Sequence, residues 1–102
     1  MIFNISDDYL DEMIVNVRVN RTPISETEVL DLIQAALNDL IRQGVKVINP
    51  SDPLIKMLVR YYCRAHYGYD SGDARERFQQ AYDDLSRAVA LDFDYKQGGD
   101  AS

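Results

Sequence analysis

The sequence predicts an all-α fold, a small bundle of about four helices followed by a flexible C-terminal tail. Three observations carry that expectation. Apolar residues recur at helical spacing in four separate windows. Each window is bounded by capping residues, proline or glycine. The stretch 52–91 reads as two amphipathic helices joined by a tight turn and holds most of the aromatic residues, so the rest of the chain is expected to pack against it.

Residues 1–5 form a short apolar lead. Ser6 is placed to cap a first helix, with Asp7 and Asp8 in the first turn, where carboxylates suit the positive end of the helix dipole. Leu10, Met13, Ile14 and Val17 follow at helical spacing. Val15, Val17 and Val19 also alternate with polar neighbours, so this helix is expected to fray into extended chain near Val17. Residues 20–24 read as a connector. Ser25 opens the second helix, and Glu28 three residues later completes a capping-box pattern. Val29, Leu30, Ile33, Ala36, Leu37, Leu40 and Ile41 make its apolar stripe, and Arg42 followed by Gly44 marks its end.

Residues 45–51 read as a loop with Val47 and Ile48 turned inward. Asp52 caps the third helix and Pro53 takes its first position, where a missing N–H is harmless. Its buried face is expected to be Leu54, Ile55, Leu58, Val59, Tyr62, Cys63 and Ala65, while Lys56, Arg60 and Arg64 line up as one basic stripe. Gly68 ends it. Residues 69–72 make the turn, Asp73 is the candidate cap of the fourth helix, and Phe78, Ala81, Tyr82, Leu85, Ala88 and Val89 are its apolar face. The domain is expected over residues 1–91, with 92–102 as the glycine-rich, polar tail.

With 102 residues, 46% apolar and 27% charged, the chain has the composition of one ordinary globular domain. The apolar runs are too short for a membrane-spanning helix, and the acidic start does not read as a signal peptide, so a cytoplasmic protein is expected. Cys63 is the only cysteine and should be a buried structural thiol. The net charge of -6 disfavours a nucleic-acid binder. Residues 1–40 sum to -6, residues 41–69 to +4 and residues 70–102 to -4. A basic middle between acidic ends suits contact between copies of one chain, or an arrangement satisfied within the chain.

No catalytic signature is present. His66 is the only histidine and has no cysteine or second histidine at ligand spacing, so no metal and no cofactor are expected. The adjacent acids Asp7/Asp8, Asp11/Glu12 and Asp83/Asp84 diverge by about a hundred degrees on a helix and cannot converge on one bond. Tyr61, Tyr62, Tyr67 and Tyr69 cluster near the end of the third helix, a pattern that points to binding. A DNA-reading helix-turn-helix is disfavoured because the gap between the second and third helices is too long.

Three stretches resemble the head–tail connector (adaptor) proteins of long-tailed phages and prophages. They are Glu28-Val29-Leu30-Asp31-Leu32-Ile33-Gln34-Ala35-Ala36-Leu37; then Asp52-Pro53-Leu54-Ile55-Lys56 leading to Ala65-His66-Tyr67-Gly68; then Phe78, Tyr82 and Leu85 followed by Ala88-Val89-Ala90-Leu91 and Tyr95. The likeness covers about residues 6–95; the segment 15–24 has no counterpart in it. The resemblance implies a non-enzymatic protein that forms a ring of about a dozen copies beneath the portal. Such a ring extends the DNA channel without sequence-specific binding and docks a stopper or tail-completion protein. It implies a place at the virion head–tail junction, reached from the host cytoplasm. Lys56, Arg60, Arg64, Tyr61, Tyr67 and Tyr69, with Phe93 and Tyr95 on the tail, are the expected interface residues. The competing readings are a small helical regulator that binds protein or nucleic acid, and an enzyme built on His66.

Overall fold

The computed structural model describes residues 2–46, 48–67 and 72–92. Four helices account for the regular structure of these residues: α1 (Asp7–Asn16), α2 (Pro23–Arg42), α3 (Pro53–His66) and α4 (Gly72–Leu91). The all-α expectation holds, and no strand occurs among the described residues. The flexible tail expected at 92–102 lies, apart from Asp92, outside them, as do the turn at 68–71 and the inward position of Val47.

The helix boundaries follow from local chemistry. The Ser6 hydroxyl accepts the Tyr9 backbone N–H at 3.1 Å and starts α1. At its end Val17 closes on the Met13 carbonyl, and Arg18 takes a left-handed conformation with φ 60. This costs a non-glycine residue about 1 kcal/mol, and it turns the chain so that Val17 is 1% exposed while Val19 packs against the core.

Helix α2 begins earlier than the capping pattern at Ser25 and Glu28 suggests. Thr22 is the cap and Pro23 the first helical residue. The Thr22 side chain accepts the Ser25 N–H at 3.0 Å, and the Ser25 hydroxyl accepts the Thr22 N–H at 2.8 Å. Ser25 is thus the reciprocal partner in the box, and Glu28 is left on the surface. Two features favour this register: the proline ring presets the first helical φ, and a buried serine finds its partners locally. At the other end Gly44 adopts φ 106. Its N–H bonds the Ile41 carbonyl and that of Val45 the Leu40 carbonyl, so the left-handed turn satisfies two terminal carbonyls while burying Val45.

Helix α3 starts as expected, with the Asp52 carboxylate accepting from the N–H groups of Leu54 and Ile55 and Pro53 at the first position. Helix α4 already includes Gly72, so Asp73 sits inside its first turn and does not cap it.

The core is organised around α3, which packs against each of the other three helices. Ile55, Leu58, Val59 and Cys63 are wholly buried on it. They meet Met13 and Ile14 from α1, Val29, Ile33, Ala36, Leu37 and Leu40 from α2, and Tyr82 and Val89 from α4 in one cluster. Cys63 is the buried thiol the sequence suggested, and burial pushes its pKa up to about 12. Four assignments need correction. Leu54, in the first turn of α3, is 38% exposed; Tyr62 and Ala65 are only half-buried; and Ala88 is exposed. On α4 the inward position is taken by Ser86, whose hydroxyl donates to the Asp83 carbonyl at 3.2 Å and so enters the core already bonded.

Ahead of α1, the Gln34 side-chain amide holds Phe3 at both backbone groups. It accepts the Phe3 N–H at 2.9 Å and donates to the Phe3 carbonyl at 2.7 Å. Tyr9 is 6% exposed, and its hydroxyl finds no hydrogen-bond partner among the described residues.

Two substitutions separate these contributions in urea denaturation. Leu58→Ala removes packing at the centre of α3 and should cost about 2–5 kcal/mol. Tyr9→Phe removes a buried hydroxyl that gains nothing where it lies, and should be neutral or stabilising, by up to about 2 kcal/mol. A clear loss on Tyr9→Phe would mean that the hydroxyl is satisfied after all.

Candidate functional site

The residues singled out for assembly do not form one patch. Lys56 and Arg60 turn toward α1. The Lys56 ammonium lies 2.9 Å from the Glu12 carboxylate and 5.4 Å from the centre of the Tyr9 ring, and the Arg60 guanidinium lies 4.0 Å from the same carboxylate. The hydrogen bond and charge of Lys56, with a smaller contribution from Arg60, hold the Glu12 carboxyl below its ordinary pKa. The Asn16 side chain donates to the Arg60 carbonyl at 3.2 Å, fastening the end of α1 to the middle of α3.

Arg64 and Tyr61 turn toward α4 and share one partner. The Arg64 guanidinium stands 4.3 Å over the Phe78 ring, and the Tyr61 ring centre is 6.2 Å from that of Phe78. Tyr67 lies elsewhere, beside His66 in a shallow cavity rimmed by Glu28 and Asp31 of α2. Tyr69, Phe93 and Tyr95 lie outside the described residues. The basic stripe is therefore real as a row on α3, and its two ends are engaged by different helices.

A second feature was not anticipated from the sequence. A polar cleft of about 320 Å³ opens where α2, α3 and α4 meet. At its floor the Tyr82 hydroxyl donates to the Asp39 carboxylate at 2.6 Å, and Gln43 and Arg42 donate to the same carboxylate. Tyr82 is 2% exposed and its ring meets that of Tyr62 edge-on at 5.2 Å. Tyr62 in turn lies 4.3 Å from the exposed His66 ring. Burial opposes the charged form of Asp39, yet the three hydrogen bonds outweigh it and hold its carboxyl below the ordinary value. Burial, then the bond to Asp39, pushes the Tyr82 phenol upward. Asp39 follows Leu37 and precedes Leu40 on α2, so periodicity alone gives no sign that it turns inward to a tyrosine 43 residues away.

The segment 15–24, which the resemblance left without a role, gathers charge at Arg21. Its guanidinium pairs with Asp11, lies 2.8 Å from Glu26 and 3.9 Å from Asp7, and so ties the start of α2 to α1.

Among the described residues no group of histidine, cysteine and carboxylate side chains could hold a metal ion, and no helix is long and apolar enough to cross a membrane. What the geometry offers is a rigid helical body with charged and aromatic side chains at its helix junctions. A family model described as phage connector protein matches residues 10–96. The chain belongs to that family. Comparisons with curated proteins and with solved structures gave no match. The matched region begins in α1 and runs past the end of α4, so it takes in all of α2, α3 and α4, the polar cleft and the whole α3 seam.

The Asp39–Tyr82 contact gives this connector a defined acid sensitivity. Asp39 has a lowered folded-state pKa, so its contribution is fully present above the ordinary carboxylate value and is lost as the pH falls through the lowered one. Tyr82→Phe should cost about 1.5–3 kcal/mol at neutral pH, as expected for a hydrogen bond to a charged group. Denaturation curves across an acid series should show that difference shrinking toward the about 0.5–1.5 kcal/mol of a neutral hydrogen bond as Asp39 becomes protonated.

Proposed function

We propose that this connector is a structural, non-enzymatic head–tail protein of a tailed phage or prophage. In this reading it forms a ring of about a dozen copies beneath the portal, prolongs the DNA channel, and presents a surface to a stopper or tail-completion protein. The observation that carries it is the family match over residues 10–96. The physical character of the molecule is in keeping with it. A net charge of -6 suits a channel wall along which DNA slides without adhering. The half-buried Tyr61 and Tyr67 and the partly exposed Arg60 are suited to protein contact, because aromatic and arginine side chains supply most of the binding energy at interfaces. Phe93 and Tyr95, beyond the end of α4, are the proposed anchors on the portal, and the virion head–tail junction is the proposed location.

The cation–carboxylate arrangement on α3 defines how such a contact would form. Arg60 reaches Glu12 only at 4.0 Å, with both side chains nearly half exposed, so its charge is available to an acidic group on a neighbour at little cost.

Co-expression with the portal protein of the same phage or prophage should yield a co-purifying complex in which electron microscopy shows a ring of this chain on one face of the portal. Arg60→Glu with Arg64→Glu should abolish the complex while leaving the helical circular dichroism of the chain intact. A portal that never retains the chain would sink the connector reading. A complex that survives both reversals would remove the basic row from the interface and leave the reading itself standing.

A further inference from the structure

Helix α3 keeps one apolar strip outside the core. Leu54, Met57 and Tyr61 follow one another at intervals of three and four residues and so share one side of the helix. Leu54 and Met57 are each 38% exposed, and Tyr61 is half-buried. The Tyr61 ring centre lies 6.2 Å from that of Phe78, which sets this strip beside a half-buried row of α4, Phe78, Ala81 and Leu85, with the same spacing. Cations flank the strip. Arg60 reaches Glu12 only at 4.0 Å, and Arg77, next to Phe78, is exposed and pairs with no described residue.

The complementary surface is on α1. Tyr9, Leu10, Met13 and Ile14 are its buried residues. Asp8, Asp11 and Val15, again at intervals of three and four, make up an opposite row, and all three are exposed. Val15 is 75% exposed, and Asp8 pairs with no cation among the described residues. A lone exposed valine is ordinary, but one in line with two carboxylates matches an apolar strip flanked by arginines. The spacing agrees as well: at about 1.5 Å per residue, Val15 and Asp8 stand roughly 10 Å apart along α1, and Leu54 and Arg60 roughly 9 Å apart along α3. Within one molecule α1 already lies against the other flank of α3, through Glu12 and Lys56. Its outer row can therefore reach this strip only on another copy.

We propose that α1 of one copy docks on the α3 strip of a second, with Val15 against Leu54 and Met57 and Asp8 beside Arg60. The two surfaces differ, so the contact passes from copy to copy and does not close as a symmetric pair. A ten-residue helix, about 15 Å long, covers far less than the roughly 800 Å² per partner of a standard interface. The contact is accordingly weak in the free chain and strengthens when many copies are held together. The inference rests on the ring reading above, for which it supplies the lateral contact.

Cysteine trapping in the isolated chain tests it without any portal. Cys63 is buried and stays in place. Under mild oxidation, a mixture of Val15→Cys and Met57→Cys chains should give a mixed disulfide dimer in clear excess over the dimers either variant forms alone. A chain carrying both substitutions should give a ladder of dimers, trimers and higher species. Arg60→Glu on the Met57→Cys chain should lower the mixed dimer about fivefold, the scale of one exposed ion pair, and Asp8→Lys on the Val15→Cys chain should restore it. A mixture that cross-links no better than its components, or a double variant that stops at dimer, would overturn the proposal. A portal-bound ring without this cross-link would sink the α1 contact and spare the ring reading; the ladder without portal binding would keep the contact and sink the ring reading.

Discussion

One face of α3 carries the whole assembly of helices. Ile55, Leu58, Val59 and Cys63 are removed from water completely, and the three other helices exist in their observed places because each covers part of that face. The contributions are cumulative: each large apolar side chain buried is worth about 1.5–3 kcal/mol, and no isolated helix as short as α1 would persist in water by its own hydrogen bonds. With three neighbours, α3 keeps only a narrow strip for polar residues. Lys56, Arg60 and Arg64 occupy it, and their long stems let each charge lean sideways to the nearest helix.

That geometry resolves the uneven charge along the chain. Acidic α1 lies against basic α3, and Glu12 receives both Lys56 and Arg60; Asp39 of α2 receives Arg42 from its own helix and Tyr82 from α4. Much of the segregation seen in the sequence is thereby answered inside one molecule. It does not follow that the row is inert toward partners. Pairs exposed to solvent hold their members loosely, so a better-buried acid on another subunit could compete for Arg60. The Asp39–Tyr82 bond differs in kind. It is sheltered, and it joins α2 and α4 where the two helices otherwise meet little, while α4 is held chiefly by its packing on α3.

How legible the fold was depended on the range of the interaction. Ser6, Asp52 and Gly44 act on backbone groups within a few residues, and their roles could be read from spacing. The α2 start misled because two capping patterns overlap at Thr22 and Ser25, and Pro23 decides between them by fixing the first helical φ. Ser86 was missed because a serine in a stripe reads as polar until its bond to Asp83 is seen. The site was less legible than the fold. Glu12 with Lys56, Phe78 with Arg64, and Asp39 with Tyr82 are partners brought together by tertiary packing, and no periodicity within one helix announces them.

The same reasoning bears on where a connector can change shape. The core offers no slack, since its largest side chains are fully buried and their rotamers are set by three neighbours. Freedom is left where burial is incomplete: at Leu54 in the first turn of α3, at Leu91 at the end of α4, and at Ile41 near the end of α2. These positions lie toward the helix ends, where an incoming protein can gain apolar area without breaking any contact of the α3 seam. The acid-sensitive bond between Asp39 and Tyr82 then matters for a further reason. It ties α4 to α2 across the polar cleft and adds a bond to a charged group to the packing on α3 that holds α4 in place.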